Sequence, residues 1–162
     1  MRSIGLRVTP KEVFYSIIEK DDKKEEILSI SSIKVPKALD EPQQLENIRS
    51  LLITIIDQYK INRGAIKVIE SNNASRLSDS IIFRLNIEGI IKEVFASSSI
   101  EKYLLGRATN VSAVFGSKCK KVLDLVSDLD MNLDTRTTDK GSKVTDNYKE
   151  AIVVALAVLR KE

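Results

Sequence analysis

Residues 2–19 read RSIGLRVTPKEVFYSIIE. The first half alternates in character and places three apolar side chains on one side of an extended chain: Ile4, Leu6 and Val8. Residues 13–19 form a second β-rich run, and Pro10 and Lys11 lie between the two runs. The pattern predicts a β-hairpin.

A run of charged residues follows the hairpin and leads into a third apolar segment. Every residue from 19 to 26 is charged, and we interpret this run as a solvated turn rather than a binding patch. Residues 27–35 then read as a strand. Three consecutive strands joined by turns predict an antiparallel meander.

The next segment has the spacing of an amphipathic helix. Asp40 is suited to cap a helix over residues 41–59, with Pro42 in its first turn. Leu51 and Ile56 make the apolar stripe wider than one contact with a sheet requires. This width predicts either burial on two sides or a surface that pairs with another molecule.

A strand, helix and strand are predicted next. Residues 64–69 form a short apolar strand that ends at Glu70, and the polar turn 71–73 can cap a helix over 75–92. Residues 94–96 are predicted as the second strand. By the handedness rule the two strands should be parallel neighbours, with the helix covering one face of the sheet.

The last third of the chain is predicted to be mostly helical. We expect a short helix over 99–105, a longer one over 116–131, and a final helix over 146–160 that is almost continuously apolar. The polar loop 132–145 is long enough to be functional or mobile.

Composition restricts the class of protein. The 162 residues fit a single domain, 1–162, with 43% hydrophobic and 30% charged residues. The longest apolar run, 151–159, is under half of the roughly 20 residues that a membrane span needs. Cys119 is the only cysteine, which fits a reducing compartment. We therefore expect a cytoplasmic protein with no membrane partner.

Several kinds of chemistry are excluded or disfavoured. The sequence has no histidine, which excludes Ser-His-Asp and Cys-His catalysis and a His/Cys zinc site. No glycine-rich loop follows the first strand, which disfavours a dinucleotide enzyme. A net charge of +3 favours a polyanionic partner only mildly, since clustered lysine and arginine decide such binding.

Two stretches of the chain resemble the RuvC branch of the ribonuclease H-like superfamily, whose members include Holliday junction resolvases. The first runs from strand 65–69 and Glu70 through 94–96 to 100–106, and the second is 147–151 before the small apolar helix. The resemblance implies an α/β, ribonuclease H-like fold. Its mixed five-stranded sheet would combine a three-strand antiparallel meander with parallel strands, flanked by helices.

The resemblance also implies a metal site, in which three or four carboxylates converge on two Mg²⁺ ions about 4 Å apart. On the first strand the matching segment is Gly5-Leu6-Arg7, so Arg7 stands where the family has an aspartate. Arginine has no acceptor and stays protonated. A fixed positive charge about 4 Å from a metal costs on the order of 4 kcal/mol per unit charge at an effective dielectric near 20. Arg7 should therefore oppose metal binding.

The remaining acids form an incomplete set. Glu70 matches the second acid and Glu150 the last one, whereas Asn147 stands where another acid is expected and Asp146 could replace it. The candidate catalytic residues are thus Glu70, Glu150 and Asp146, and Glu70 and Glu150 are the candidate metal ligands. Glu70 is equally suited to be a helix N-terminal charge, and Asp146 to be a helix cap. We expect no bound cofactor, or Mg²⁺ if the site is active.

Glu150 lies in an otherwise buried helix, where an acid must meet a partner. The family's fold brings this position close to Arg7 on the first strand. We therefore predict a salt bridge between Arg7 and Glu150 that replaces the metal.

Two groups of basic residues could follow a phosphate backbone, although neighbouring acids also fit a mixed-charge surface. They are Arg107, Lys118, Lys120 and Lys121 after Gly106, and Arg136, Lys140 and Lys143 before the last helix. Only 5% of the residues are aromatic, so few side chains could stack on the bases of a single strand. Contact with the backbone of a duplex or junction is therefore favoured.

Three functions follow from these observations. The leading one is a RuvC-like, catalytically impaired domain that binds nucleic acid, DNA rather than RNA, or a protein of nucleic-acid metabolism. The first alternative is an active Mg²⁺-dependent endonuclease of the Holliday junction type. The second is a non-catalytic, self-associating protein, such as a homodimer formed through the stripe at Leu51 and Ile56.

Overall fold

The computed structural model describes residues 1–22, 24–70 and 77–161. Within these ranges, no helix is long and apolar enough to cross a membrane. In chain order the elements are β1 (Arg2–Val8), β2 (Glu12–Lys20), β3 (Glu25–Lys34), α1 (Glu41–Tyr59), β4 (Arg63–Lys67), α2 (Asp79–Ser97), β5 (Lys102–Gly106), α3 (Ala108–Val114), a 3-10 helix (Val122–Asp128) and α4 (Asp146–Arg160).

The strands form one mixed sheet in the order β3-β2-β1-β4-β5. β1 and β3 both pair antiparallel with β2, whereas β4 runs parallel to β1 and to β5. The predicted meander and mixed five-stranded sheet are therefore confirmed. In register, Arg7 pairs with Lys67, and Lys67 pairs with Gly106, so the carboxyl ends of three strands meet at one edge.

The two faces of β1 meet different helices. Ile4, Leu6 and Val8 are fully buried in the core cluster that also contains apolar residues of α1 and α2. The intervening side chains point towards α4, and the Ser3 hydroxyl donates a hydrogen bond to the Ala155 carbonyl at 3.0 Å. The predicted apolar side of the first strand thus faces α1 and α2, and α4 packs against its other side.

Gly5 allows α4 to approach the sheet closely. A Cβ atom at this position would lie 2.0 Å from the Ala151 carbonyl oxygen and 2.7 Å from the Ala155 Cβ. Residues 151–159 of α4 are all buried. The helix with small side chains therefore packs backbone to backbone against β1.

The predicted strand 94–96 is wrong, since these residues end α2. Val94 and Phe95 continue the buried spacing of Ile87 and Ile91 along the helix, so they pack on the same core. The ring of Phe95 would lie 2.7 Å from a Cβ atom at Gly64, so this glycine of β4 makes room for it.

The predicted helix 99–105 is also wrong, because residues 102–106 form β5. Leu104 and Gly106 are buried in alternation beside β4. Gly106 does not end a helix. A Cβ atom there would lie 2.9 Å from Val154 of α4, so the glycine again permits close helix packing. The predicted unit of a strand, a helix and a parallel strand is present as β4, α2 and β5. Its second strand is β5 and not the predicted 94–96.

The segment 116–131 is not the predicted long helix. α3 precedes it, and Gly116 follows α3 with a φ of +64° that suits glycine. Within the segment, Val122 and Leu125 are buried three residues apart, the period of the 3-10 helix they occupy. The predicted turn 71–73 and the predicted helix start at Ser75 lie outside the described residues.

The polar loop 132–145, predicted to be functional or mobile, is anchored to the edge strand β3. The Asp139 amide donates to the Ile30 carbonyl at 2.9 Å, and its carboxylate accepts from the Ile30 amide at 2.9 Å. Leu133 and Val144 are buried at either end of the loop. The loop therefore satisfies backbone groups that an edge strand would otherwise expose.

Substituting Gly5→Ala should lower the free energy of unfolding by about 3 kcal/mol or more, because the added methyl group collides with backbone atoms of α4. Urea denaturation measures the change. Gly89→Ala is the matched control, since Gly89 lies in α2 with no atom within 4 Å of an added Cβ. The control should gain about 1 kcal/mol from helix propensity. Equal effects of the two substitutions would contradict the packing account.

Candidate functional site

A cleft of about 150 Å³ lies at the edge of the sheet where β1 and β4 end. Its walls come from both strands, α2, α4 and the segment that precedes the 3-10 helix. Five of the side chains that line it are cationic: Arg7, Lys67, Arg84, Lys120 and Lys121. Two are acidic, Glu70 and Glu150. Positive charge therefore exceeds negative charge in the cleft.

Arg7 and Glu150 form an ion pair across the β1–α4 contact. The Arg7 Nε donates to Glu150 Oε2, and its Nη1 donates to the Val8 carbonyl at 2.7 Å. The two side chains are only 18% and 16% exposed, so solvent screens the pair weakly. This confirms the predicted salt bridge. It follows from the close packing at Gly5, which lies two residues before Arg7 and contacts Ala151, the neighbour of Glu150.

Glu70 is held by donors from two directions. The Lys67 Nζ lies 3.0 Å from Glu70 Oε1, and the Ala108 amide donates to the same oxygen at 3.0 Å. Burial raises the pKa of Glu70, but these two hydrogen bonds and the charges of Lys67 and Arg107 outweigh it and lower the pKa below its usual value. The carboxylate is therefore ionised at neutral pH, and it contacts α3 rather than the start of α2.

Glu88 is a further acid beside the cleft, and sequence reasoning missed it. Its side chain is 1% exposed and accepts hydrogen bonds from the Ile69 amide at 3.1 Å and from the Arg84 Nε at 3.2 Å. The signal was present, because an acid lay in a helix among buried apolar positions with a basic residue four positions earlier. Glu88 thus ties α2 to the chain that leaves β4.

Arg84 and Lys67 were also absent from the predicted site. Burial, followed by the nearby charge of Arg7, lowers the pKa of the Arg84 guanidinium, while Glu88 and Glu150 act in the opposite direction. Lys67 lies 11% exposed at the end of β4. A lysine that interrupts an otherwise apolar strand was the available signal.

The acids in this cleft do not fit a two-metal centre. Among the described residues, only Glu70 and Glu150 are acids of its lining, and each shares one carboxylate oxygen with a cationic side chain of the protein: Glu70 Oε1 with Lys67 and Glu150 Oε2 with Arg7. Asp146 is exposed at the first residue of α4 and does not line the cleft. No group of three or more potential ligand side chains that could hold a metal ion occurs among residues 1–22, 24–70 and 77–161.

The predicted basic residues separate into different places. Lys120 and Lys121 line the cleft, and Arg107 lies close enough for its charge to act on Glu70. Lys118 lines another hollow, next to α3. The three basic residues of the loop 132–145 are exposed and do not line the cleft: Arg136, Lys140 and Lys143. Their contact with nucleic acid stays a prediction.

Comparisons of sequence find no relative. No family model matches the chain, and no curated protein matches it. Comparison with solved structures does find neighbours. The RuvC protein of Thermus thermophilus, solved in complex with a Holliday junction substrate, has a TM-score of 0.70 at 10% identity, covering 99% of this chain and 94% of that one.

Two further neighbours have the same overall arrangement. The yeast mitochondrial Holliday junction resolvase has a TM-score of 0.62 at 13% identity, covering 98% of this chain and 77% of that one. The Fowlpox virus resolvase, solved with Holliday junction DNA, has a TM-score of 0.55 at 12% identity, covering 96% of each chain. The chain therefore has the ribonuclease H-like fold in the arrangement of RuvC and other Holliday junction resolvases.

Proposed function

We propose that this chain is a RuvC-like domain that binds nucleic acid, DNA rather than RNA, and lacks the metal-dependent nuclease chemistry of that fold. The observation that carries the proposal is the ion pair between Arg7 and Glu150. It joins the first strand to the last helix, where the resemblance places the first and last acids of a metal site. Two neighbours of the same fold were solved with Holliday junction DNA, which supports DNA as the partner.

The electrostatics of the cleft oppose a divalent cation. A metal at Glu150 would lie beside the guanidinium of Arg7, and a metal at Glu70 would lie beside the Lys67 ammonium. Arg84 adds a third positive charge to the same walls. Each of these cations would repel a divalent ion at the carboxylates.

The same charges favour a phosphate backbone. Lys120 and Lys121 are exposed and line the cleft, and Arg107 lies near Glu70 beside it. Clustered cations of this kind bind DNA by releasing its counterions, irrespective of base sequence. The arrangement therefore supports binding without cleavage.

A Mg²⁺-dependent nuclease is the second candidate. The observation in its favour is that Glu70 and Glu150 line the same cleft, with Glu70 ionised at neutral pH. This candidate requires a metal to bind at both carboxylates in spite of their ion pairs with Arg7 and Lys67. It predicts strand cleavage that Glu70→Gln abolishes.

Self-association is the third candidate and stays a prediction. Ile56, one of the two residues whose apolar side chains suggested a pairing surface, is buried in the core of this chain. Leu51 is 43% exposed on α1 and remains open to contact. Light scattering of the purified protein would measure its mass in solution.

Mg²⁺ or Mn²⁺ should leave the melting temperature of the wild-type protein unchanged. Arg7→Asp should lower the free energy of unfolding by on the order of 2 kcal/mol, because it places two carboxylates together. Mn²⁺ should then restore part of the loss, since a ligand that binds only the folded state stabilises it. Thermal melts with and without metal measure both effects.

Arg7→Asn is the matched control, because it removes the cation without adding a carboxylate and should gain little from Mn²⁺. Junction and duplex DNA incubated with the wild-type protein and either metal should remain uncut. A wild-type melting temperature that rises with Mn²⁺, together with cleavage that Glu70→Gln removes, would establish the nuclease instead.

The double variant Lys120→Glu/Lys121→Glu should weaken binding to junction DNA by about tenfold or more. The slope of log affinity against log salt concentration should become shallower by about 0.9 for each phosphate that the protein no longer neutralises. Fluorescence anisotropy at several salt concentrations measures both. The control is Lys102→Glu/Lys161→Glu, which makes the same change of charge around Arg63, at the opposite end of β4. Equal weakening by the two double variants would show that net charge, and not this cleft, determines binding.

A further inference from the structure

The two arginines of the cleft present unused donors. Arg7 commits its Nε to Glu150 and its Nη1 to the Val8 carbonyl. Arg84 commits its Nε to Glu88. Among the described residues, the Nη2 of Arg7 and both terminal nitrogens of Arg84 have no hydrogen-bond partner. Both side chains line the cleft, and no described residue competes with an occupant for these donors.

The two guanidinium groups also lie close enough to repel. Arg84 is 16% exposed and Arg7 18%, and the charge of Arg7 acts on Arg84. Glu150 contacts Arg7 and its charge also acts on Arg84, so the two guanidinium groups share one anion and a second anion near both would be favourable. Guanidinium groups match the oxygens of a phosphate with paired donors, which makes phosphate the anion that this arrangement fits.

The acids in and beside the cleft do not cancel its positive charge, so an anion can still be attracted. Glu70, Glu150 and the adjacent Glu88 are each paired with one cation: Lys67, Arg7 and Arg84 in turn. Lys120 and Lys121 add positive charge beyond these three pairs. A net charge of +2 remains for the five cations and three acids, which would attract a phosphodiester or a free phosphate.

We propose that this cleft binds a phosphate group directly, with Arg7 and Arg84 donating hydrogen bonds to it and the net positive charge of the cleft taking the place of the divalent metal ions of a metal-dependent site. This inference rests on the proposed function, because only that function makes a nucleic-acid backbone the source of the phosphate. Arg84 is the residue that tests it, because it lines the cleft and its two terminal nitrogens have no partner among the described residues.

The double variant Arg84→Gln/Glu88→Gln removes the guanidinium at constant net charge. It also avoids leaving Glu88 buried without its cation, and the amide that replaces the carboxylate keeps an oxygen to accept from the Ile69 amide. Its dissociation constant for four-way junction DNA should rise about tenfold or more, as expected for loss of a charged hydrogen bond. The salt dependence should become shallower by about 0.9. Glu88→Gln alone is the control, and it should bind at least as tightly as the wild type.

A second arm tests whether a metal takes part. The wild-type affinity should be the same with a chelator as with millimolar Mg²⁺ at constant ionic strength, since the protein's own cations hold the phosphate. Affinity that falls when the chelator is added would overturn the inference, because a metal would then bridge the protein and the phosphate.

A third arm distinguishes the phosphodiester backbone of DNA from a free phosphate compound as the ligand of the cleft. Pyrophosphate should raise the melting temperature of the wild-type protein and not that of the Arg84→Gln/Glu88→Gln variant. If DNA binds with unchanged affinity and salt dependence in that variant, the inference is wrong and the proposed function stands. If pyrophosphate stabilises only the wild type and DNA does not bind, the phosphate site is supported and the proposed function fails. If neither ligand binds the wild type, both are wrong.

Discussion

The contact between α4 and β1 at Gly5 is the constraint on which the cleft depends. Because no Cβ fits between this residue and the Ala151 carbonyl, the helix lies directly on the strand and its position along the strand is determined by backbone contact. Ser3 and Arg7 lie on the same side of β1 as Gly5, and they meet Ala155 and Glu150 in turn. The ion pair at the cleft is thus a consequence of how closely a small-residue helix can pack.

The acids of the cleft and the adjacent Glu88 are paired with cations of the protein itself. There are three such ion pairs: Arg7 with Glu150 links β1 to α4, whereas Lys67 with Glu70 is local to the end of β4 and Arg84 with Glu88 lies within α2. A cluster of carboxylates without metal would repel itself and raise the pKa of its members. Here the pKa of Glu70 is lowered instead, because the Lys67 ammonium, the Ala108 amide and the charge of Arg107 stabilise its carboxylate against the effect of burial.

Sequence patterns identified most of the elements up to α1, the short strand β4 and the last helix, and failed between residues 94 and 131. The opening meander and α1 have clear periods and α4 has a long apolar run, and each was predicted close to its observed bounds. Residues 94–96 were predicted as a strand and belong to a helix, and residues 99–105 were predicted as a helix and contain a strand. The errors arose because short apolar runs fit a strand or a helix equally well. The decision came from packing, because Val94 and Phe95 continue the buried side of α2 and Gly106 lies under α4.

What the sequence determined by itself is the chemistry at one position: an arginine on the first strand cannot ligate a metal, and a buried acid in the last helix needs a cation. That reasoning predicted the pair of Arg7 and Glu150, which the structure confirms. Only the tertiary structure decided that Lys67, Arg84 and Glu88 join them, and that Asp146 does not. The parallel strands β1 and β4 bring Arg7 and Lys67 to one edge of the sheet, and the packing of α2 and α4 places Arg84 and Glu150 there. This convergence of distant segments depends on tertiary packing, which no spacing in the sequence encodes.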